Sequence, residues 1–189
     1  LTIILGNLLS AKQQFADNHV LLKQLEPAIR ATRRGSDITN RLLAFSRRQS
    51  LQPCRVNITD LINETVELIK GSLPSTITIS SHFDDPKLQT HVDPSQLDNC
   101  MINLLLNAKD AMPDGGDIDI HVSEISVSKP LEFDERVPCG SYIKVVLMDT
   151  GHGFSLDAMN RAFEPFYTTK IAGQGSGLGL SMVFGFIKQ

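Results

Sequence analysis

The sequence predicts an α+β protein, a two-helix hairpin followed by helices layered on a mixed sheet. Three observations predict it. Apolar residues recur at helical spacing through about the first fifty residues, and the pattern stops at Gln49-Ser-Leu-Gln-Pro53. Beyond that point helical periods alternate with strand periods, such as Ile118, Ile120 and Val122 set against Asp119 and His121, the signature of a sheet with one buried face. Near the centre, Met101-Ile-Asn-Leu-Leu-Leu-Asn-Ala-Lys-Asp-Ala111 is apolar apart from one polar stripe.

In the first fifty residues Leu1, Ile4, Leu8, Ala11 and Phe15 recur at alternating steps of three and four, so a first helix runs to about Phe15 and offers a packing seam. Asp17-Asn-His-Val20 reads as a turn. Leu21, Ala28, Ala31, Gly35, Ile38, Leu42 and Phe45 make a second seam of the same period. Pro27 lacks an N–H and clashes with the preceding turn, so the second helix either starts near Glu26 or kinks there. Two antiparallel helices with exposed seams are half of a four-helix bundle, which a homodimer completes.

The second region, 51–189, reads as helix (about 58–71), strand (76–83), short strand (89–92), helix (94–112), strand (116–128), strand (141–149), a long loop, and a last helix from about Gly177. The helix at 94 has the firmest start: Asp93 at the cap, Pro94 first and Gln96 third form a capping box. Met112-Pro-Asp-Gly-Gly116 ends it.

On that helix Asn103, Asn107 and Asp110 fall at i, i+4 and i+7, on one face, and the remaining apolar residues imply burial nearly all round. Buried amides and carboxylates need partners, since an unsatisfied one costs about 1–3 kcal/mol. Side chains, ordered water or a bound ligand all meet that need. Downstream, Val145-Val-Leu-Met-Asp-Thr-Gly-His-Gly-Phe154 is a buried strand running into Asp149 and a turn with Gly151 and Gly153. Phe163-Glu-Pro-Phe-Tyr-Thr-Thr-Lys170 follows, then Gly173-Gln-Gly-Ser-Gly-Leu-Gly-Leu180 leading into an apolar helix. Seven of the thirteen glycines fall between 151 and 185, which concentrates close backbone approach in one stretch.

These four pieces, in this order, resemble the ATP-binding domain of sensor histidine kinases, within the ATPase group that includes gyrase, the mismatch-repair ATPases and the ninety-kilodalton chaperones. The resemblance runs from about Asn57 to the end, and Arg161-Ala-Phe-Glu-Pro-Phe-Tyr-Thr-Thr-Lys170 is closest to the kinases. Leu1-Thr-Ile-Ile-Leu-Gly-Asn7 and Leu42-Leu-Ala-Phe-Ser-Arg-Arg-Gln49 resemble the two helices of the dimerisation and phosphoacceptor domain of hybrid-type kinases.

The resemblance implies a dimerisation and phosphoacceptor hairpin over 1–50 and an α/β-sandwich ATP-binding domain of Bergerat type over 51–189. Its activity is that of a two-component histidine kinase, using ATP and Mg²⁺ to phosphorylate a histidine on the first bundle helix and then an aspartate on a response-regulator receiver domain. Asp149 is expected to accept from the adenine amino group, with Gly151 and Gly153 letting backbone approach the purine. An aspartate ending a strand otherwise serves as a turn-former. Asn107 is expected as the direct Mg²⁺ ligand, assisted by Asn103, because Mg²⁺ needs only one or two protein oxygens beside phosphates and water. Gly175, Gly177, Leu178, Gly179 and Leu180 are expected to present backbone N–H groups and a helix amino end to the phosphates. The run has no GK[ST], so it is not a P-loop; the other reading, a purely flexible linker, is weakened by alternating glycines that run directly into an apolar helix. Lys170 is expected to reach a phosphate or to stand as a solvated surface lysine, and Asp110 to act through water or to orient its neighbours. Asn107, Asp110 and Lys170 are therefore the candidate catalytic set. Many histidine kinases carry Lys where Asp110 stands, whereas the gyrase and chaperone branches carry Asp. Phe163 and Phe166 are expected to pack the loop onto the domain, and His152 to be exposed.

The same kinases carry His-Asp-Phe-Asn-Asn just before the Leu1 segment, so the phosphoacceptor is expected upstream of Leu1, and a further strand is expected after Gln189. Residues 1–189 are then expected to bind Mg·ATP and to dimerise without autophosphorylating. Two other readings share the fold: a dimeric scaffold or phosphotransfer module without nucleotide, and a gyrase- or chaperone-like conformational ATPase.

A net charge of −3 and pI near 5.9 give no electrostatic reason to bind nucleic acid. The six arginines between Arg30 and Arg48 are a local exception, either a solvated helix face or a docking surface for an acidic partner. Cys54, Cys100 and Cys139 show neither zinc spacing nor a disulfide framework, which fits a reducing cytoplasm. No stretch approaches the roughly 18 apolar residues of a membrane span, so membrane contact within this chain is not expected.

Overall fold

The computed structural model describes residues 2–16, 18–46, 51–129, 131–132, 136–170 and 175–189. Leu1, Asp17, Gln49, Ser50 and Gly173 lie outside these, as do the side chains of Ile38, Leu42, Phe45 and the arginines at 33, 34, 41, 47 and 48. The chain divides into two compact units, 1–50 and 51–189.

The first unit is a helical hairpin of α1 (Thr2–Gln14) and α2 (His19–Ser46). Asn18 sets the start of α2, its Oδ1 accepting from Leu21 N at 3.1 Å, an N-cap bond that satisfies a free amide of the first turn. Of the two expected alternatives the start near Glu26 is therefore wrong: α2 is one helix of 28 residues with Pro27 inside it. Local capping eight residues upstream outweighs the one hydrogen bond that proline forfeits. Lys12 Nζ and Glu26 Oε1 pair across the hairpin at 3.3 Å.

The second unit begins with β1 (Cys54–Asn57), which pairs antiparallel with β3 (Gln89–Val92). Between them come α3 (Ile58–Lys70) and β2 (Ile77–Phe83). The helix α4 (Pro94–Ala111) follows, then β4 (Gly116–Val127), β5 (Leu131–Glu132), β6 (Arg136–Val137), β7 (Gly140–Asp149), α5 (Leu156–Arg161) and α6 (Gly179–Ile187). The main sheet has the order β2-β4-β7, with β2 and β4 parallel and β4 and β7 antiparallel, so it is mixed as expected.

Helices cover one face of that sheet. Ile62, Val66 and Ile69 of α3, Met101, Leu105 and Ala108 of α4, and Ile118, Ile120 and Val122 of β4 form the core. The alternation along β4 leaves Asp117 and His121 exposed, and His121 stacks on His82 of β2 with ring centroids 4.8 Å apart. Burying the β4 isoleucines and valine contributes roughly 1.5–3 kcal/mol each.

In the second unit five elements depart from the sequence expectation. β1 was not foreseen, nor were the β5–β6 pair and α5, and α6 starts at Gly179 instead of Gly177. Gly177 has φ of 64°, which no right-handed helix accommodates.

Candidate functional site

The stripe on α4 is less buried than its sequence implies. Met101, Leu105 and Ala108 are buried, but Ile102, Asn103, Leu104, Leu106 and Asn107 are half-buried and Asp110 is exposed. The polar edge therefore lies at the margin of the core, not inside it. Neither the Asn103 nor the Asn107 amide hydrogen-bonds to another described residue, and no buried side-chain polar atom among the described residues lacks a partner.

The start of α6 lies over this edge. A Cβ at Gly179 would stand 3.6 Å from both Asn103 Oδ1 and Asn107 Nδ2. Leu178, fully buried, anchors that start from beneath; its N donates to Ser176 Oγ at 3.3 Å, and Ser181 Oγ donates back to its carbonyl at 3.0 Å. No side chain caps α6. Its first amides therefore face the Asn103–Asn107 edge with the positive end of the helix dipole. Leu180 lies in the first turn, half-buried.

Asp149 closes the site at the other end of α4. Its Oδ1 accepts from Gly151 N at 2.9 Å, a two-residue Asx turn, while the side chain stays exposed. The turn rides on the last residue of α4: His152 N donates to Ala111 O at 3.1 Å. A Cβ on Gly151 would sit 2.6 Å from Ala111 Cβ, so only glycine allows that approach. Thr150, unremarked in the sequence, fixes the strand end, its Oγ1 accepting from Asp117 N at 3.0 Å and its own N donating to Asp117 O at 3.1 Å. A threonine directly after a strand-ending aspartate was the available signal. Gly153 is left-handed, with open space where a Cβ would be, and His152 is exposed with Nδ1 2.8 Å from Gly153 O.

The third part runs from α5 to Lys170. Ser155 caps α5 by accepting from Ala158 N at 3.2 Å, and Arg161 lies 4.3 Å over the Tyr167 ring. Phe163 stacks on Phe184 of α6 at 5.0 Å, as expected for a packing residue. Phe166 does not pack in that way. It is 56% exposed, and its contribution is through the backbone, with φ of 69° and its N donating to Gly177 O at 2.8 Å. Lys170 pairs with Asp110 through Nζ and Oδ2. Its backbone N donates to Thr168 Oγ1 at 3.2 Å, and Gly175 lies against Thr168 and the Lys170 stem.

Asn103, Asn107, Asp110, Lys170, Gly175, Gly177, Leu178, Gly179 and Leu180 thus gather around one side of α4, with Asp149 and Gly151 at its carboxyl end. A groove of about 470 Å³ lined by Lys70, Leu73, Pro74, Ser75, Ile77, Thr78 and Ile79 shares none of these residues. Among the described residues no three His, Cys, Asp or Glu side chains gather to hold a metal; the Asn103 and Asn107 amides and the Asp110 carboxylate are the side-chain oxygen donors that this face of α4 presents. These are hard oxygen donors, suited to Mg²⁺.

Residues 92–189 match the family model described as histidine kinase-, DNA gyrase B- and HSP90-like ATPase. Sensor kinase CckA of Brucella abortus is 36% identical over 157 residues, 82% of this chain and 17% of its own length. This chain spans 17–30% of the length of CckA, of sporulation kinases E and A of Bacillus subtilis and of sensor histidine kinase ZraS of Escherichia coli, all of which it resembles. Among solved structures, full-length ShkA in complex with AMPPNP superposes with a TM-score of 0.70 at 21% identity, covering 95% of this chain and 36% of that one. Histidine kinase ThkA in complex with the response regulator protein TrrA gives a TM-score of 0.58 at 23% identity, covering 89% of this chain and 46% of that one. At these identities the structural likeness concerns the fold.

Proposed function

The chain belongs to the histidine kinase-, DNA gyrase B- and HSP90-like ATPase family, and from that premise we propose that it is the kinase core of a two-component system, binding Mg·ATP along α4. The observation that carries this reading is the pair of half-buried amides, Asn103 and Asn107, without hydrogen-bond partners among the described residues and directly under the uncapped start of α6. An anionic tail placed there meets free backbone donors on one side and amide groups on the other.

In this reading Asp149 accepts from the adenine amino group, held in position by Gly151 N and by Thr150 on Asp117. Gly151 and Gly153 keep the turn narrow enough for the purine. Asn107, with Asn103, would hold Mg²⁺, which supplies charge neutralisation at the phosphates. Gly175 to Leu180 offer backbone donors to the phosphate tail. Transfer of the γ-phosphoryl group rests on positioning and neutralised charge, with little covalent work by the protein. The proposed acceptor is a histidine of the bundle, followed by a response-regulator aspartate, consistent with the partner in the ThkA complex. Exposed Ile3, Ile4, Phe15 and Val20 on the hairpin favour its completion by a second copy. No helix among the described residues is long and apolar enough to cross a membrane. The three free thiols fit a cytoplasmic setting.

Calorimetric titration of the chain with Mg·ATP tests the nucleotide reading. Binding is expected, with Asp149→Asn weakening it about 10- to 100-fold, the worth of a charged hydrogen bond. Unchanged affinity in that variant removes the assignment. Incubating the native gene product with γ-labelled ATP separates the activities: acid-labile, base-stable label on protein marks a histidine kinase, and inorganic phosphate released without protein label marks a conformational ATPase.

A further inference from the structure

We propose that Lys170 serves the phosphate end of the site by neutralising Asp110, so that the ion pair as a unit sets how tightly a triphosphate is held; this rests on the nucleotide reading above. Asp110 follows Asn107 by three residues, on the same face of α4. Left alone, its carboxylate stands about one helical turn from Asn107 and two from Asn103, the amides that face the start of α6, and it repels an anionic tail there. Lys170 lies sixty residues further along the chain, yet its ammonium reaches Asp110.

The approach is built, not incidental. Lys170 is held at its backbone by Thr168 Oγ1, 3.2 Å from its N. Its stem crosses Gly175, where a Cβ would lie 3.1 Å from Lys170 Cδ and 3.3 Å from Lys170 Cβ. A side chain at 175 would crowd the lysine. The segment carrying Lys170 is itself tied to the start of α6 through Phe166 N and Gly177 O. One ion pair therefore connects the polar face of α4 to the segment that leads into α6.

Charge counting gives a distinctive expectation. The pair is neutral; Lys170→Gln leaves −1, Asp110→Asn leaves +1, and the double variant is neutral again. A unit charge about one helical turn from a multiply charged tail, in a water-like dielectric, changes affinity on the order of tenfold. Mg·ATP affinity should then rank Asp110→Asn above wild type, wild type level with the double variant, and Lys170→Gln about tenfold below. The shifts should be smaller for Mg·ADP, which carries one charge fewer, and should shrink between 0.05 and roughly 0.5 M salt as screening shortens.

Calorimetry on the four proteins, each checked by thermal melting, reads this directly, with Lys170→Met replacing Lys170→Gln if the latter melts below the assay temperature. Rescue of the lysine variant by Asp110→Asn supports the proposal. A double variant that binds as weakly as Lys170→Gln, instead of level with wild type, overturns it, because Lys170 then acts on the phosphates and not through Asp110. Weaker binding by Asp110→Asn alone, or four equal affinities, overturns it as well. Failure of wild type to bind Mg·ATP would instead remove the nucleotide reading.

Discussion

Gly177 is the residue at which substitution is least tolerable. At φ of 64° it faces Phe166, itself at 69°, and a Cβ there would collide with the Phe166 carbonyl carbon. Gly177→Ala should cost about 1–3 kcal/mol, measured as a lower denaturation midpoint, because strain and collision add. An equal or higher midpoint would show that the crossing is not held. Sequence alone marked Gly177 as flexible backbone for phosphates but did not reveal the crossing, since Phe166 gives no local sign of a left-handed conformation. Cys100 supplies a second test. Burial pushes its thiol up to about 11, whereas Cys54 and Cys139 are exposed. At pH 8 a disulfide reagent should titrate two thiols quickly and the third only on unfolding, because the thiolate is the reactive form. Three fast thiols would contradict the packing of α4.

Among the elements, α4 depends on its first residue. Asp93 is buried and accepts from Gln96 N at 3.1 Å and Gln52 N at 2.9 Å, joining the helix cap to the segment that enters β1. The Gln52 amide, aided by those of Gln96 and Ser95, holds the Asp93 carboxyl below its ordinary 3.8 against the opposing effect of burial. A folded value below the unfolded one means that the carboxylate stabilises the fold above the ordinary carboxylate range. That contribution is lost as pH falls through the depressed value, below 3.8. Melting temperature from pH 6 to 3 should therefore show a low-pH loss that Asp93→Asn lacks, with Asp93→Ala costing about 1 kcal/mol or more at neutral pH. The cap was legible because Asp-Pro-Ser-Gln is a local signal. β1 was not, because its partner β3 lies more than thirty residues on and four residues carry too little alternation. α5 is six residues long, too short for periodicity, although Ser155 and Asp157 were there as start signals. The three parts of the site were legible as motifs. The opening of the stripe was not, since how much of α4 is covered depends on how far the sheet extends.

For the whole molecule, the two compact units lead to a division of labour that can be measured. Residues 51–189 contain every residue gathered at the candidate site, so that piece should bind Mg·ATP as the full chain does. The full chain should sediment as a dimer and 51–189 as a monomer, with Ile4→Glu and Val20→Glu shifting the full chain toward monomer. A monomeric full chain at tens of micromolar would remove the bundle reading. The hairpin seams were readable from spacing, but the continuity of α2 was not, because Pro27 is a stronger local stop signal than Asn18 is a start.

That proline has a mechanical consequence. A helix resists bending through its hydrogen-bonded rungs, and Pro27 has no N–H to offer the carbonyl of Lys23. α2 behaves as two stiff rods joined at a softer rung, about 12 Å on one side and about 28 Å on the other at 1.5 Å per residue. Flexing the joint by about 10° swings the far end of the longer rod by about 5 Å, close to one helical pitch. A small angular input near His19 would thus become, at Ser46, a displacement on the scale at which packed surfaces exchange neighbours.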